Sequence, residues 1–163
     1  MVNCFLSLGS NTGNRLSNIE TAISNIRALR KTIVTSESSI YESKAMYNKK
    51  LDNFYNCVIK IKTSFLPRKL LKALKDIEKN MGRDLNEERY SARIIDVDIL
   101  TYGQEIINLS DLTIPHPQIK ERKFVLKPWA DIESDYVMAN CSKKIFDLLS
   151  NISDNTKLKD IKK

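Results

Sequence analysis

The residues best suited to chemistry lie between Arg89 and Thr101, where Arg-Tyr-Ser-Ala-Arg-Ile-Ile-Asp-Val-Asp-Ile-Leu-Thr carries two arginines into an alternating apolar run. From Ile94 to Leu100 only Asp96 and Asp98 interrupt β-branched and aliphatic residues, which is the pattern of a half-buried strand. Side chains two apart on a strand share a face, so both carboxylates point one way while Ile95, Val97 and Ile99 face a core. Two such carboxylates repel each other, and a hard cation relieves the repulsion. Mg²⁺ takes one or two protein carboxylates and completes its shell with phosphate oxygens and water. With Arg89 and Arg93 just upstream, the pattern suits a polyphosphate. An Asp-x-Asp taken alone equally suits the wet face of any antiparallel strand, so the rest of the chain has to decide.

The elements that must position these residues follow the order strand, helix, strand, strand, helix, strand. Residues 2–8 alternate as a first strand, and the turn cluster Gly9-Ser10-Asn11-Thr12-Gly13-Asn14 follows. That cluster lacks both the Gly-Lys-Ser/Thr ending and the Gly-x-Gly-x-x-Gly spacing of phosphate loops, so it reads as a structural turn. Leu16, Ile19, Ala22, Ile23 and Ile26 recur at helical spacing. Residues 33–43 read as a second strand and Phe54 to Thr63 as a third. Pro67 suits the first turn of a second helix whose inner face is Leu70, Leu71, Leu74, Ile77, Glu78 and Met81, ending at Gly82. The charged segment from Arg83 to Arg93 reads as a long surface loop before the aspartate strand. This is a ferredoxin-like βαββαβ core, an antiparallel sheet with both helices on one face, in the α/β (α+β) class. A short strand is expected at Glu105 to Ile107. Pro115 and Pro117 should hold the backbone extended around His116, the only histidine. A helix or turns over residues 122–132, an amphipathic segment from Ser142 to Asn151 and a polar tail over residues 152–163 complete a single domain spanning residues 1–163.

At 163 residues the chain is long enough to bury a substantial core. Cys4, Cys57 and Cys141 are odd in number and lack metal-ligand spacing, which argues against a disulfide framework or a zinc site and for a reducing compartment. The apolar start is too short for a signal peptide, and no stretch approaches a membrane span. A cytoplasmic protein is expected. The net charge of +7 favours anionic partners, although lysines at 143, 144, 157, 159, 162 and 163 place much of the excess on a solvated face and tail.

Taken together, Leu8-Gly9-Ser10-Asn11, Phe54-Tyr55-Asn56, Glu78 to Arg83, Arg93-Ile-Ile-Asp-Val-Asp-Ile-Leu, Ile114-Pro-His-Pro and Arg122-Lys-Phe-Val-Leu-Lys-Pro resemble, in order and spacing, the 6-hydroxymethyl-7,8-dihydropterin pyrophosphokinases of folate biosynthesis. The resemblance implies that the ferredoxin-like core is extended into a three-layer α/β/α sandwich. It implies a transferase, a kinase that moves the β,γ-pyrophosphoryl group of ATP to the pterin and releases AMP, with two Mg²⁺ ions between Asp96, Asp98 and the triphosphate. Arg83 and Arg93 would be catalytic. Glu78, Arg89, Ile99, Thr113, His116, Lys120 and Arg122 would form the ATP site, and Ser43, Met46, Phe54, Asn56 and Phe124 the pterin site, with the two phenylalanines stacking on the ring. The partners are then ATP and the pterin, with no nucleic acid and no membrane, bound by a monomer. The loops at Lys44 to Asp52 and Asp84 to Ala92 would close over them. The chain departs from the family at Ser91-Ala92, where Gly-Pro is usual, at Lys44 to Tyr47, where proline and glycine are usual, and at Leu85-Asn86 and Asp111, where basic residues occur. Two other readings stay in play: a ferredoxin-like nucleic-acid-binding module, though the glycine and spaced aromatics of an RNA-binding strand are missing from Phe54 to Ile61, and a catalytically silent relative.

Overall fold

The computed structural model describes residues 1–84 and 91–162. Strand β1 (Val2–Ser10) lies inside the sheet because both of its faces are apolar: Cys4, Leu6 and Leu8 point to one side and Phe5 to the other. It pairs antiparallel with β4 (Phe54–Thr63) and β5 (Asp96–Tyr102). On the far side of β4 come β2 (Thr32–Glu37) and β3 (Ile40–Ser43), both antiparallel to it, and β8 (Lys159–Lys162) pairs with β3. The order is β5-β1-β4-β3-β8, with β2 also on β4.

Helices α1 (Arg15–Arg27) and α2 (Pro67–Asn80) cover one face through Ile19, Ile23, Ile26, Leu70, Leu74 and Ile77, which meet the strand residues Leu6, Leu8, Ile59, Ile61, Val97 and Ile99. Asn14 caps α1, accepting a hydrogen bond from Ser17 N at 3.1 Å, and Pro67 opens α2. On the opposite face α3 (Lys123–Glu133) and α4 (Ile145–Ser150) bury Val125, Leu126, Trp129, Ile145 and Leu148 against Phe5, Val58 and Leu100. Trp129 stands 4.7 Å from Phe5 and 5.3 Å from Tyr136, centroid to centroid. The result is the three-layer α/β/α arrangement on a ferredoxin-like core. The α3–α4 layer leaves one end of its sheet face uncovered, and the residues there are polar: Ser7, Asn56, Asp96 and Asp98.

Four local differences from the sequence reading stand out. The run over residues 33–43 is two strands because the Ser38 hydroxyl accepts the Val58 N–H at 2.9 Å, where a ladder carbonyl would otherwise stand. The short hairpin pairs β6 (Ile107–Asn108) with β7 (Thr113–Ile114), slightly later than expected. Residues 152–163 are polar, yet β8 forms there, since Ile161 packs on the core and β3 offers an open edge. The Ile114–Pro115 peptide is cis, and instead of staying extended the chain turns after His116 into the 3-10 turn Ile119–Glu121. Among the described residues no helix is long and apolar enough to cross a membrane.

Candidate active site

Asp96 and Asp98 project from the start of β5 on the uncovered end of the sheet, as their spacing requires, while Val97 and Ile99 enter the α1–α2 core. An extra residue on β5 at Leu100, set against Phe5 and Leu6 of β1, re-aims the strand beyond them. On the neighbouring strands Ser7, Gly9, Phe54 and Asn56 share this face, and with Phe124 of α3 they line a single cleft open to solvent. Gly9 allows a close approach here: a Cβ would sit 3.1 Å from Asn56 Oδ1 and 3.7 Å from Phe54 Cδ1.

The arginines come from turns that the sequence builds around the strand. Gly82, at φ +96°, ends α2 and lets Arg83 N donate to Glu78 O at 3.1 Å. Arg83 thereby folds back so that Nη1 donates to Asp96 Oδ1 at 2.6 Å and also to Glu78. Arg93 Nη1 donates to Asp96 Oδ2 at 2.6 Å. The backbone of Arg93 is pinned on both sides by Asn11, whose Oδ1 accepts Arg93 N at 2.6 Å and whose N–H donates to Arg93 O at 3.1 Å. The turn read as merely structural therefore positions a site arginine.

Electrostatics divide the two aspartates. Burial raises the Asp96 pKa, but Lys75, Arg93 and Arg83 outweigh it and hold the group below the usual carboxylate value. Asp98 is pushed up to about 6, by burial first and by the Asp96 charge second. Arg122 Nη1 and the imidazole Nε2 of His116 each stand 3.9 Å from its Oδ2. Burial and Arg122 lower His116 to about 4, so its imidazole is neutral at pH 7. Because Gln118 N donates to Nδ1 at 3.2 Å, the ring proton sits on Nε2, turned toward Asp98. Asp96 and Asp98 fit a hard cation. They are oxygen donors on one rigid strand and one of them is destabilised by the other. Among the described residues no cluster of three or more His, Cys, Asp or Glu could hold a metal alone, which suits a cation that draws its remaining ligands from a phosphorylated substrate and water.

At the cleft's other end Phe54 and Phe124 provide aromatic faces, with Met46 and Tyr47 from the β3–β4 loop beside them. Asn56 is 3% exposed and donates from Nδ2 to Ser43 Oγ at 2.9 Å, which fixes its amide. Arg122 joins the two ends. Its guanidinium donates to Gln118 Oε1 and, at 3.3 Å, to Tyr47 Oη, and lies 5.7 Å from the Phe124 ring centroid.

The expected residues thus fall into groups. Arg93, Asp96, Asp98 and Arg122 line one cleft together with Ser43, Met46, Phe54, Asn56 and Phe124. Arg83 and the fully buried Glu78 stand behind Asp96, and His116 stands beside Asp98. Ile99 is in the core, so only its backbone could meet a ligand; Thr113 and Lys120 are exposed and outside the cleft lining. Arg89, Tyr90 and the Leu85-Asn86 pair lie outside the described residues. Asp111 pairs with Arg68 of α2 at 3.0 Å. Sequence reasoning missed Asn11, Gly9 and Lys75. The signal for Lys75 was its i,i+3 spacing from Glu78 on α2. Cys57, beside Asn56, faces the α1–α2 core and not the cleft; burial pushes its thiol up to about 12.

Residues 5–134 match the family described as 7,8-dihydro-6-hydroxymethylpterin-pyrophosphokinase. The chain is 47% identical over 133 residues to the folic acid synthesis protein fol1 of Pneumocystis carinii, covering 82% of itself and 18% of that protein. It is 36% identical over 159 residues to the 2-amino-4-hydroxy-6-hydroxymethyldihydropteridine pyrophosphokinase of Haemophilus influenzae, covering 98% of each. Among solved structures, the Plasmodium falciparum HPPK-DHPS with SDX-DHP superposes with a TM-score of 0.73 at 18% identity, covering 96% of this chain and 47% of that one. The chain thus spans under a fifth of the fungal relative and nearly all of the bacterial one.

Proposed function

Because the chain belongs to the 7,8-dihydro-6-hydroxymethylpterin-pyrophosphokinase family, we propose that it transfers the β,γ-pyrophosphoryl group of ATP to 6-hydroxymethyl-7,8-dihydropterin in folate synthesis. The observation that carries this reading is the single cleft in which a carboxylate pair and two arginines adjoin an aromatic pocket with a fixed amide. Phe54 and Phe124, both lining this cleft, offer aromatic faces to a flat heterocycle, and stacking contributes about 0.5–1.5 kcal/mol beyond area burial. The immobilised Asn56 amide reads its donor and acceptor edge. Such a placement would leave the hydroxymethyl oxygen on the aspartate side of the cleft.

The hydroxymethyl oxygen forms a bond to the β-phosphorus as the bond between that phosphorus and the α,β-bridging oxygen breaks; AMP leaves with the bridging oxygen, and the hydroxyl proton passes to solvent. Such a reaction depends on alignment and charge neutralisation. Two Mg²⁺ ions held by Asp96, Asp98 and phosphate oxygens would neutralise the triphosphate and acidify the hydroxyl. Arg83 and Arg93 release Asp96 and meet the transferring phosphates. Arg122 contacts the phosphate nearest the pterin, and neutral His116 donates from Nε2. Arg89, Lys120, Thr113 and the Ile99 backbone complete the nucleotide side. One chain supplies every group, so a monomer suffices, and the free thiols Cys4, Cys57 and Cys141 suit the cytoplasm.

The test is AMP formation from ATP and Mg²⁺ with and without the pterin, with analysis for the pterin diphosphate. Pterin-dependent AMP that EDTA abolishes is the expected result. Binding of both substrates without AMP would instead identify a silent relative, and binding of neither would return the nucleic-acid reading.

A further inference from the structure

Lys75 occupies a place in the site that no part of the reaction so far uses. It lies one helical turn before Glu78 on α2, and its Nζ donates to Glu78 Oε1 at 2.8 Å and to Val97 O at 3.4 Å, while standing 4.0 Å from Asp96 Oδ1. Glu78 is the most buried acid of the site, at 0% exposure. Its Oε1 also accepts Val97 N at 2.6 Å, tying α2 to the start of β5, and its other oxygen accepts from Arg83. Two cations therefore share one buried carboxylate, and both also reach toward Asp96. Their attachment differs: Arg83 follows Gly82 in the turn after α2 and also holds Asp96, whereas Lys75 pairs with Glu78 from the same helix at i,i+3 spacing.

We infer that Lys75 is a positioning residue that keeps Glu78 paired when Arg83 leaves it, and so sets how readily Arg83 is released to a triphosphate. This rests on the proposed ATP reaction, in which Arg83 meets phosphate. Removing one partner of a buried ion pair strands the other charge at high cost. Without Lys75, Arg83 is the remaining side-chain cation on Glu78, and drawing it onto a phosphate leaves that carboxylate with only the Val97 N–H. With Lys75 in place, Glu78 retains two donors throughout, one of them a cation.

The experiment compares wild type, Lys75→Met, Lys75→Arg, Glu78→Gln and the double variant Lys75→Met/Glu78→Gln. Dissociation constants for ATP are measured by titration calorimetry in EDTA and in Mg²⁺, and those for the pterin alongside. Lys75→Met should weaken ATP binding on the order of tenfold in both conditions, with the pterin constant unchanged, and Lys75→Arg should restore most of it. Glu78→Gln removes the charge that must be kept paired, so adding Lys75→Met to it should change ATP binding little. A general loss of positive charge would weaken ATP binding equally in both backgrounds, and that result overturns the inference, as does wild-type affinity in Lys75→Met. Should Lys75→Met fail to fold, Lys75→Gln, which keeps a donor without the charge, replaces it with the same expectations. Pterin-dependent AMP from wild type is scored separately. Its presence without the coupling removes the role of Lys75 alone, and its absence removes the reaction while leaving the measured coupling to stand or fall by itself.

Discussion

Asp96 and Asp98 are chemically identical and two residues apart, but the free protein treats them oppositely. Asp96 accepts short hydrogen bonds from Arg83 and Arg93, and with Lys75 they hold its pKa below the usual carboxylate value. Asp98 has no comparable partner and titrates at about 6. A carboxyl whose folded pKa lies above its unfolded value favours folding while protonated, and loses that contribution as pH rises from about 4 through 6. At pH 7, without a cation, ionised Asp98 therefore opposes folding. Allowing for its contact with water, the cost is about 1 kcal/mol, or about 2–4 °C in melting temperature for a domain of this size. Asp98→Asn should melt higher than wild type by that amount in EDTA at pH 7, and Asp96→Asn lower, while both abolish transfer. Thermal melts at pH 7 and pH 4 check this, since the Asp98→Asn gain should vanish at the lower pH; a lower melting point for Asp98→Asn would refute the assignment. The shared face of the pair was legible from i,i+2 spacing. Their inequality was not, because Lys75 arrives from α2 and Arg83 from the turn that follows it, and a sequence does not say which cation a fold will deliver to which oxygen.

At the scale of elements, the cleft depends on two places where backbone meets side chain across strands and helices. The first is Gly9 on β1, opposite Asn56 on β4. Ala at this position introduces a methyl 3.1 Å from Asn56 Oδ1, and relieving that contact moves the amide off Ser43 or spreads the strands. Gly9→Ala should weaken pterin binding by about 1–3 kcal/mol, with ATP affinity unchanged, as paired titrations would report; equal losses for both ligands would point to general damage. The second is the start of α3, whose N-cap residue Arg122 makes no side-chain cap bond. Asp154 acts instead from 31 residues away, its Oδ2 accepting Lys123 N at 3.3 Å and its Oδ1 accepting Thr156 N at 2.9 Å. These bonds outweigh burial and lower its pKa, so its contribution is present above the unfolded carboxylate value and fades as pH falls through the folded one. Asp154→Ala should cost about 1 kcal/mol at pH 7 and much less near pH 2, by thermal melts at both. Periodicity made α1, α2 and β4 legible nearly to the residue. The division of residues 33–43 turned on one Ser38 hydroxyl, and β8 on an edge that exists only once β3 has formed. Neither leaves a local pattern to read.

Taken whole, the molecule has two cores separated by one sheet, and β1 and β4 serve both. Phe5 and Val58 belong to the Trp129 core, and their sequence neighbours Cys4, Leu6, Cys57 and Ile59 to the core under α1 and α2. The layered architecture was legible in outline because this alternation is written along the strands. The cleft exists because the α3–α4 layer is too short to cover its whole face, a consequence of packing that composition does not reveal. Shared strands also bear on cooperativity. Removing α3 and α4 would expose Phe5, Val58 and Leu100 on strands still bound to the other layer. The remaining sheet would then present a wide apolar surface to water, at roughly 25 cal/mol per Å². A half-folded state is therefore disfavoured, and unfolding in urea should be a single transition. Trp129, the only tryptophan, is fully buried beside Phe5 and Tyr136 and reports the second core. Far-UV circular dichroism reports both layers, with α1 and α2 supplying 27 of the helical residues. The two signals should share one midpoint and one slope. Loss of Trp129 emission at lower urea than the ellipticity would mean that the α3–α4 layer detaches first, and that the two cores, though they share strands, are held independently.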